Sequence, residues 1–150
     1  QATPIRQTPF NEYQPVLSPD GRWVAYVSDE TGVSQINVQS FPTGEQRWQV
    51  SSQGGVSPQW RRDGRELYFL GNDRTLMAVP VSFSPTFRAG LPIPLFRTRV
   101  PVDANPYRQQ YAASADGQRF LVNTAPEDTP TPALHVVLDW RALLPSTEKR

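Results

Sequence analysis

Apolar residues in this chain fall in short runs separated by turn-forming residues, the pattern of strands rather than of helices. Val24-Ala25-Tyr26-Val27, Leu67-Tyr68-Phe69-Leu70 and Phe120-Leu121-Val122 are such runs, rich in β-branched and aromatic side chains. Each follows an Asp-Gly pair: Asp20-Gly21, Asp63-Gly64 and Asp116-Gly117. Glycine supplies a positive φ and aspartate tolerates it, so each pair predicts a tight hairpin between two strands.

The three pairs stand 43 and 53 residues apart, which marks an internal repeat. In the first unit the pattern predicts strands at 14–17, 23–28, 35–41 and 47–51, joined by polar turns. The second of these is apolar on both faces and is expected to be covered on both. The third alternates, with Ile36 and Val38 on one face and Asn37 and Gln39 on the other, as for a strand near a rim. The second unit is expected from Val56 to Arg99, with strands at 75–81 and 95–98, and contains a proline-rich stretch from Pro80 to Pro106. The third predicts strands at 110–113, 119–124 and 134–140, then one helical turn at Arg141–Leu144. Pro4–Phe10 reads as the outer strand of a preceding unit. Four antiparallel strands grading from buried to exposed, at a period near 43, form the pattern of a propeller blade. The expected fold class is therefore all-β, a partial β-propeller of about three four-stranded blades. Its boundaries are 1–13 (outer strand and linker), 14–54, 55–108, 109–141 and a tail at 142–150.

Composition narrows the chemistry. The chain has 150 residues, 37% of them hydrophobic, with 16 prolines and 9 glycines, which excludes a helical bundle or coiled coil. Four Trp, five Tyr and seven Phe are ample core anchors. The lack of cysteine excludes disulfides, thiolate metal sites and cysteine nucleophiles. Fifteen basic and fourteen acidic side chains leave a net charge of +1, which does not invite nucleic acid. No apolar run reaches the roughly 18 residues of a membrane span. The opening residues lack an apolar export-signal core, and a first residue of Gln leaves room for a leader already removed.

Several residues invite a chemical reading. Asp20, Asp63 and Asp116 are carboxylates, but each is placed to cap its own turn. Asp29-Glu30 and Asn72-Asp73 lack the ladder of a calcium loop and read as solvated turns. His135 shares a strand face with Val137 and Asp139, yet no Gly-x-Ser-x-Gly elbow accompanies it, so a structural role is expected. Trp23, Trp48, Trp60 and Trp140 are expected to anchor packing between blades. No phosphate-binding loop is present. We therefore expect no catalytic residue, no cofactor and no metal. Arg22, Arg61, Arg62, Arg65 and Arg119 gather near the Asp-Gly turns, which belong on one face of the propeller. They form a candidate partner-contact patch, in competition with local pairing to the turn aspartates.

The segment Ser18-Pro19-Asp20-Gly21-Arg22-Trp23-Val24-Ala25-Tyr26-Val27-Ser28 resembles the repeat of TolB-like, WD-type propellers of bacteria. The chain is more similar still to the C-terminal propellers of bacterial membrane-anchored serine/threonine kinases. That likeness rests on Asn11–Pro15, Val38–Pro42, Trp60–Gly64, Leu76–Val81, Pro94–Phe96, Asp116–Asn123 and Val136–Trp140. It implies a non-catalytic propeller outside the cytoplasm, in a periplasm or on the outer side of the inner membrane. Three blades leave two lateral faces uncovered, so three outcomes are expected: a second copy closes the ring, a protein partner covers the faces, or the 150 residues are part of a longer chain; the proline-rich stretch is a further candidate to fold over one side. The expected function is protein binding or scaffolding, as an accessory subunit of a membrane-associated assembly. The alternatives are the extracytoplasmic sensor of a receptor kinase and the gating propeller of a hydrolase.

Overall fold

The computed structural model describes residues 4–83, 86–101, 104, 105 and 107–124, together with the backbone of Leu134–Val137. Every regular element among them is a strand. The first sheet runs β1 (Glu12–Leu17), β2 (Trp23–Ser28), β3 (Gln35–Ser40), β4 (Arg47–Gln49), in that order. The second contains β5 (Val56–Trp60), β6 (Glu66–Leu70), β7 (Thr75–Ser82), β8 (Arg88–Ala89) and β9 (Ile93–Arg97). Here β7 is long enough for two partners: β9 lies beside Thr75–Ala78 and β8 beside Val81 and Ser82. The third sheet is β10 (Tyr111–Ala113), β11 (Phe120–Asn123) and β12 (Leu134–Val137). All pairings are antiparallel. The protein is an all-β partial propeller.

Side-chain alternation along each second strand joins the sheets. Trp23, Ala25 and Val27 of β2 meet Leu67 and Phe69 of β6 in one buried cluster. The opposite face of β6, with Tyr68 and Leu70, meets Tyr111, Phe120 and Val122 of the third sheet in another. One strand thus serves two cores, which is why β6 carries no polar alternation.

The described part of the proline-rich stretch packs inward rather than over an open side. Phe83 and Phe87 enter the space between the first two sheets, where Phe87 is 1% exposed. The Phe87 ring lies 5.6 Å from Trp23 and 5.1 Å from Trp48, and Phe83 lies 5.7 Å from Trp60. Leu95 and Val100 fill the second core. Large rings fill the space between the sheets more completely than strand residues alone.

Glutamines stitch the inner strands together. Gln14 and Ser57 both adopt positive φ, at 53° and 58°, and each precedes a proline at a bulge in its strand. The bulge turns the Gln14 amide across the gap, where its Oε1 accepts the Ser57 backbone N–H at 2.7 Å. One blade further on, the Gln59 amide donates to Tyr111 O and accepts from Ala113 N.

Two expectations about the first sheet need correction. Residues 4–10 form no strand. Pro4 and Pro9 lack amide donors, and Arg6 turns inward to Glu12 at 3.3 Å and Glu30 at 3.0 Å. The polar side of β3 does not face a solvent rim either, since Asn37 is 1% and Gln39 2% exposed. Arg47 donates to Asn37 Oδ1, and Gln39 donates to Ile5 O beneath the N-terminal segment. Trp140, the Arg141–Leu144 turn, the loop expected from Pro126, Pro130 and Pro132, the 142–150 tail and the His135 side chain lie outside the described residues.

Candidate interaction surface

Each Asp-Gly turn is closed by its own side chains. Asp20 Oδ1 accepts Ser18 Oγ–H at 2.6 Å and Arg22 N–H at 3.2 Å, and Ser18 Oγ accepts Trp23 N–H. Asp116 repeats the arrangement with Ser114, Gln118 and Arg119. Asp63 accepts Arg65 N–H, but Arg61 replaces the serine and reaches Asp63 through its guanidinium at 3.4 Å. Burial alone would raise the Asp20 carboxyl; hydrogen bonds from Ser18 and Arg22, with the Arg22 charge, outweigh it and hold the group below its ordinary range. The Ser114 hydroxyl, followed by the Gln118 amide, lowers Asp116 likewise.

The acidic turns at the opposite ends of the strands are also internally occupied. Asp29 accepts the Asn11 side chain at 2.7 Å and its backbone N–H at 2.9 Å. Glu30 pairs with Arg6 and Arg47. Asp73 accepts the Thr75 backbone N–H and hydroxyl. Among the described residues no group of three His, Asp or Glu side chains is placed to hold a metal ion. A cavity of about 460 Å³ lies beside the Asn72-Asp73 turn, lined by Ser52, Gln53, Phe69 and Met77.

The five predicted arginines divide into two groups. Arg22 pairs with Asp20 at 2.9 Å, and Arg61 pairs with Asp63 and Glu66. Glu66 Oε2 also accepts the Tyr68 hydroxyl at 2.6 Å. Burial, then Glu66, pushes the Tyr68 phenol well up. Arg62, Arg65 and Arg119 are exposed. Of these, Arg62 and Arg65 make no salt bridge among the described residues.

The arginine pattern did not reveal the groove that Arg62 lines. Val16, Leu17, Pro19, Gln59, Trp60, Arg62 and Gln109 line a shallow, open groove of about 520 Å³ between the first two Asp-Gly turns. Leu17 is 50% exposed there, and Trp60 Nε1 is fixed by donation to Val16 O at 3.0 Å. The third turn abuts the second, because Gly117 sits against Arg61 and the Tyr68 hydroxyl. The signal available in the sequence was position: Leu17 and Trp60 each stand three residues before an Asp-Gly pair.

A second surface without a partner among the described residues lies on the outer face of the third sheet. Leu121 occupies the repeat position held by Ala25 and Tyr68, counted from the Asp-Gly pairs. Those two are 0% exposed, whereas Leu121 is 37% exposed. Beside it lie Ala112, Ala113 and Arg119, around a shallow depression of about 270 Å³.

No family model matches the chain, and no curated relative matches it. Solved structures do. A putative 6-phosphogluconolactonase from Bacteroides uniformis aligns at TM-score 0.55 and 12% identity, over 89% of this chain and 42% of its own. An oligogalacturonate lyase from Vibrio parahaemolyticus aligns at TM-score 0.52 and 17% identity, over 79% of this chain and 31% of its own. TolB from Acinetobacter baumannii aligns at TM-score 0.41 and 16% identity, over 90% of this chain and 45% of its own. The first two share the fold at identities that carry no function across. The chain spans less than half the length of each.

Proposed function

We propose that this partial propeller is a non-catalytic protein-binding or scaffolding module, holding its turns and its outer sheet face in fixed positions for a protein partner. The observation that supports the reading is Leu121. It stands where the two preceding sheets each bury a side chain against the next, yet it is 37% exposed. A face patterned for burial and left open is suited to another protein surface, whether a further blade, a second copy or an accessory subunit's partner. Placement in a bacterial periplasm, within a membrane-associated assembly, belongs to the same proposal and rests on the likeness of the repeat to TolB-like propellers. The likeness to kinase-linked propellers supports an extracytoplasmic sensor as a narrower form of this reading.

Light scattering on the purified chain tests it. Wild-type protein is expected to self-associate, or to gain mass with its partner, and Leu121→Arg to abolish that gain while keeping the wild-type β-sheet circular dichroism. Equal masses for wild type and variant, in every mixture tried, would overturn it.

A further inference from the structure

We infer that the groove between the first two Asp-Gly turns binds an extended acidic peptide segment, with one apolar side chain seated on Leu17 and Trp60 and a carboxylate held by Arg62. The inference rests on the reading as a protein-binding module and names the surface and the chemistry of its occupant. The floor is prepared: Trp60 is oriented by its hydrogen bond to Val16 O, and Leu17 presents a half-exposed apolar side chain. Aromatic and aliphatic groups held in one orientation make good anchors, because little freedom is lost on binding.

Charge selects the occupant. No acidic side chain lines the groove, and Arg62 in its wall has no salt-bridge partner among the described residues. The nearest acids are engaged: Asp20 by Ser18 and Arg22, Asp63 by Arg61 and the Arg65 backbone. Arg62 is therefore the one charged side chain lining the groove among the described residues. Gln59 closes one side of the groove with its amide committed to Tyr111 O and Ala113 N, so that wall is fixed in place before anything binds. A basic peptide would meet Arg62 with no carboxylate in the groove to receive it.

The test uses the whole chain and three blocked, fluorescein-labelled peptides: glutamates flanking one leucine, lysines flanking one leucine, and glutamates alone. Fluorescence anisotropy is expected to show micromolar binding of the first, weakening as salt is raised. The other two should bind roughly tenfold or more weakly. Arg62→Glu and Leu17→Ser should each weaken the first peptide by about tenfold, while the remote Arg88→Glu leaves it unchanged. Equal binding of the lysine peptide, or full binding to Arg62→Glu, overturns the assignment. If the peptide fails to bind while Leu121-dependent association persists, the groove assignment falls alone. If the peptide binds and that association is absent, the groove stands and the lateral-face reading falls.

Discussion

At the scale of single residues, the Asp-Gly turns reward close comparison. Gly21 and Gly117 share a φ of +69°, but an added Cβ meets open space at Gly21 and the Tyr68 hydroxyl and Arg61 at Gly117. Gly21→Ala should therefore cost about 1 kcal/mol, the penalty of the left-handed region for an L residue. Gly117→Ala should cost clearly more, because it also pushes apart two turns; urea denaturation of both variants measures the difference. The turn carboxylates predict a pH dependence as well. Asp20, Asp29, Asp73 and Asp116 are all held below their ordinary range, by hydrogen bonds that favour the charged form. A carboxylate with a lowered folded pKa contributes stability that is complete above its unfolded value, about 3.9, and lost as pH falls through the folded value. Urea stability should accordingly be flat from neutral pH to roughly pH 5 and decline below about pH 4. A decline that Asp73→Asn and Asp20→Asn leave unaltered would contradict this origin. The turns were fully legible in the sequence, because Asp-Gly chemistry is local. The Gln14 and Ser57 bulges were not, since their partners lie a whole repeat away.

Among elements, legibility followed burial. Strand β2 lies where its apolar run predicted, at Trp23–Ser28, because the Asp-Gly turn before it and the polar turn after it mark both ends of a fully buried run. The segment at 4–10 went the other way: its place just before the first unit suggested an outer strand, but ion pairs of Arg6 with Glu12 and Glu30 hold it as an irregular cover. The role of Phe87 was equally hidden, since nothing in a proline-rich stretch says which aromatic turns inward. Phe87→Ala should lower stability by about 3–5 kcal/mol, as for other buried aromatic truncations, and should shift the emission of Trp23 and Trp48. The inner-strand stitches predict a subtler effect. Gln59→Ala removes both of its bonds to β10, so hydrogen exchange should quicken at Tyr111–Ala113 and Phe120–Asn123 while β2 and β3 keep their protection.

For the molecule as a whole, the two lateral faces differ. The face of the first sheet bearing Val24 and Tyr26 is covered by the N-terminal segment, with Arg6 lying 6.0 Å above the Tyr26 ring. The face bearing Leu121 has no such cover from a described segment. A ring closed by two copies would have to displace residues 4–10, whereas a partner fitting only the Leu121 face would not. That asymmetry was beyond the sequence, which showed three repeats and two expected open faces without distinguishing them. Methyl NMR on the leucine-labelled chain, with a soluble paramagnetic probe, tests the central claim. In dilute solution the Leu121 methyls should broaden strongly while those of Leu67 and Leu76 stay sharp, and Leu121 should regain its shielding as the chain is concentrated or a partner is added. Leu121 methyls as shielded as those of Leu67 in a dilute monomer would contradict the account.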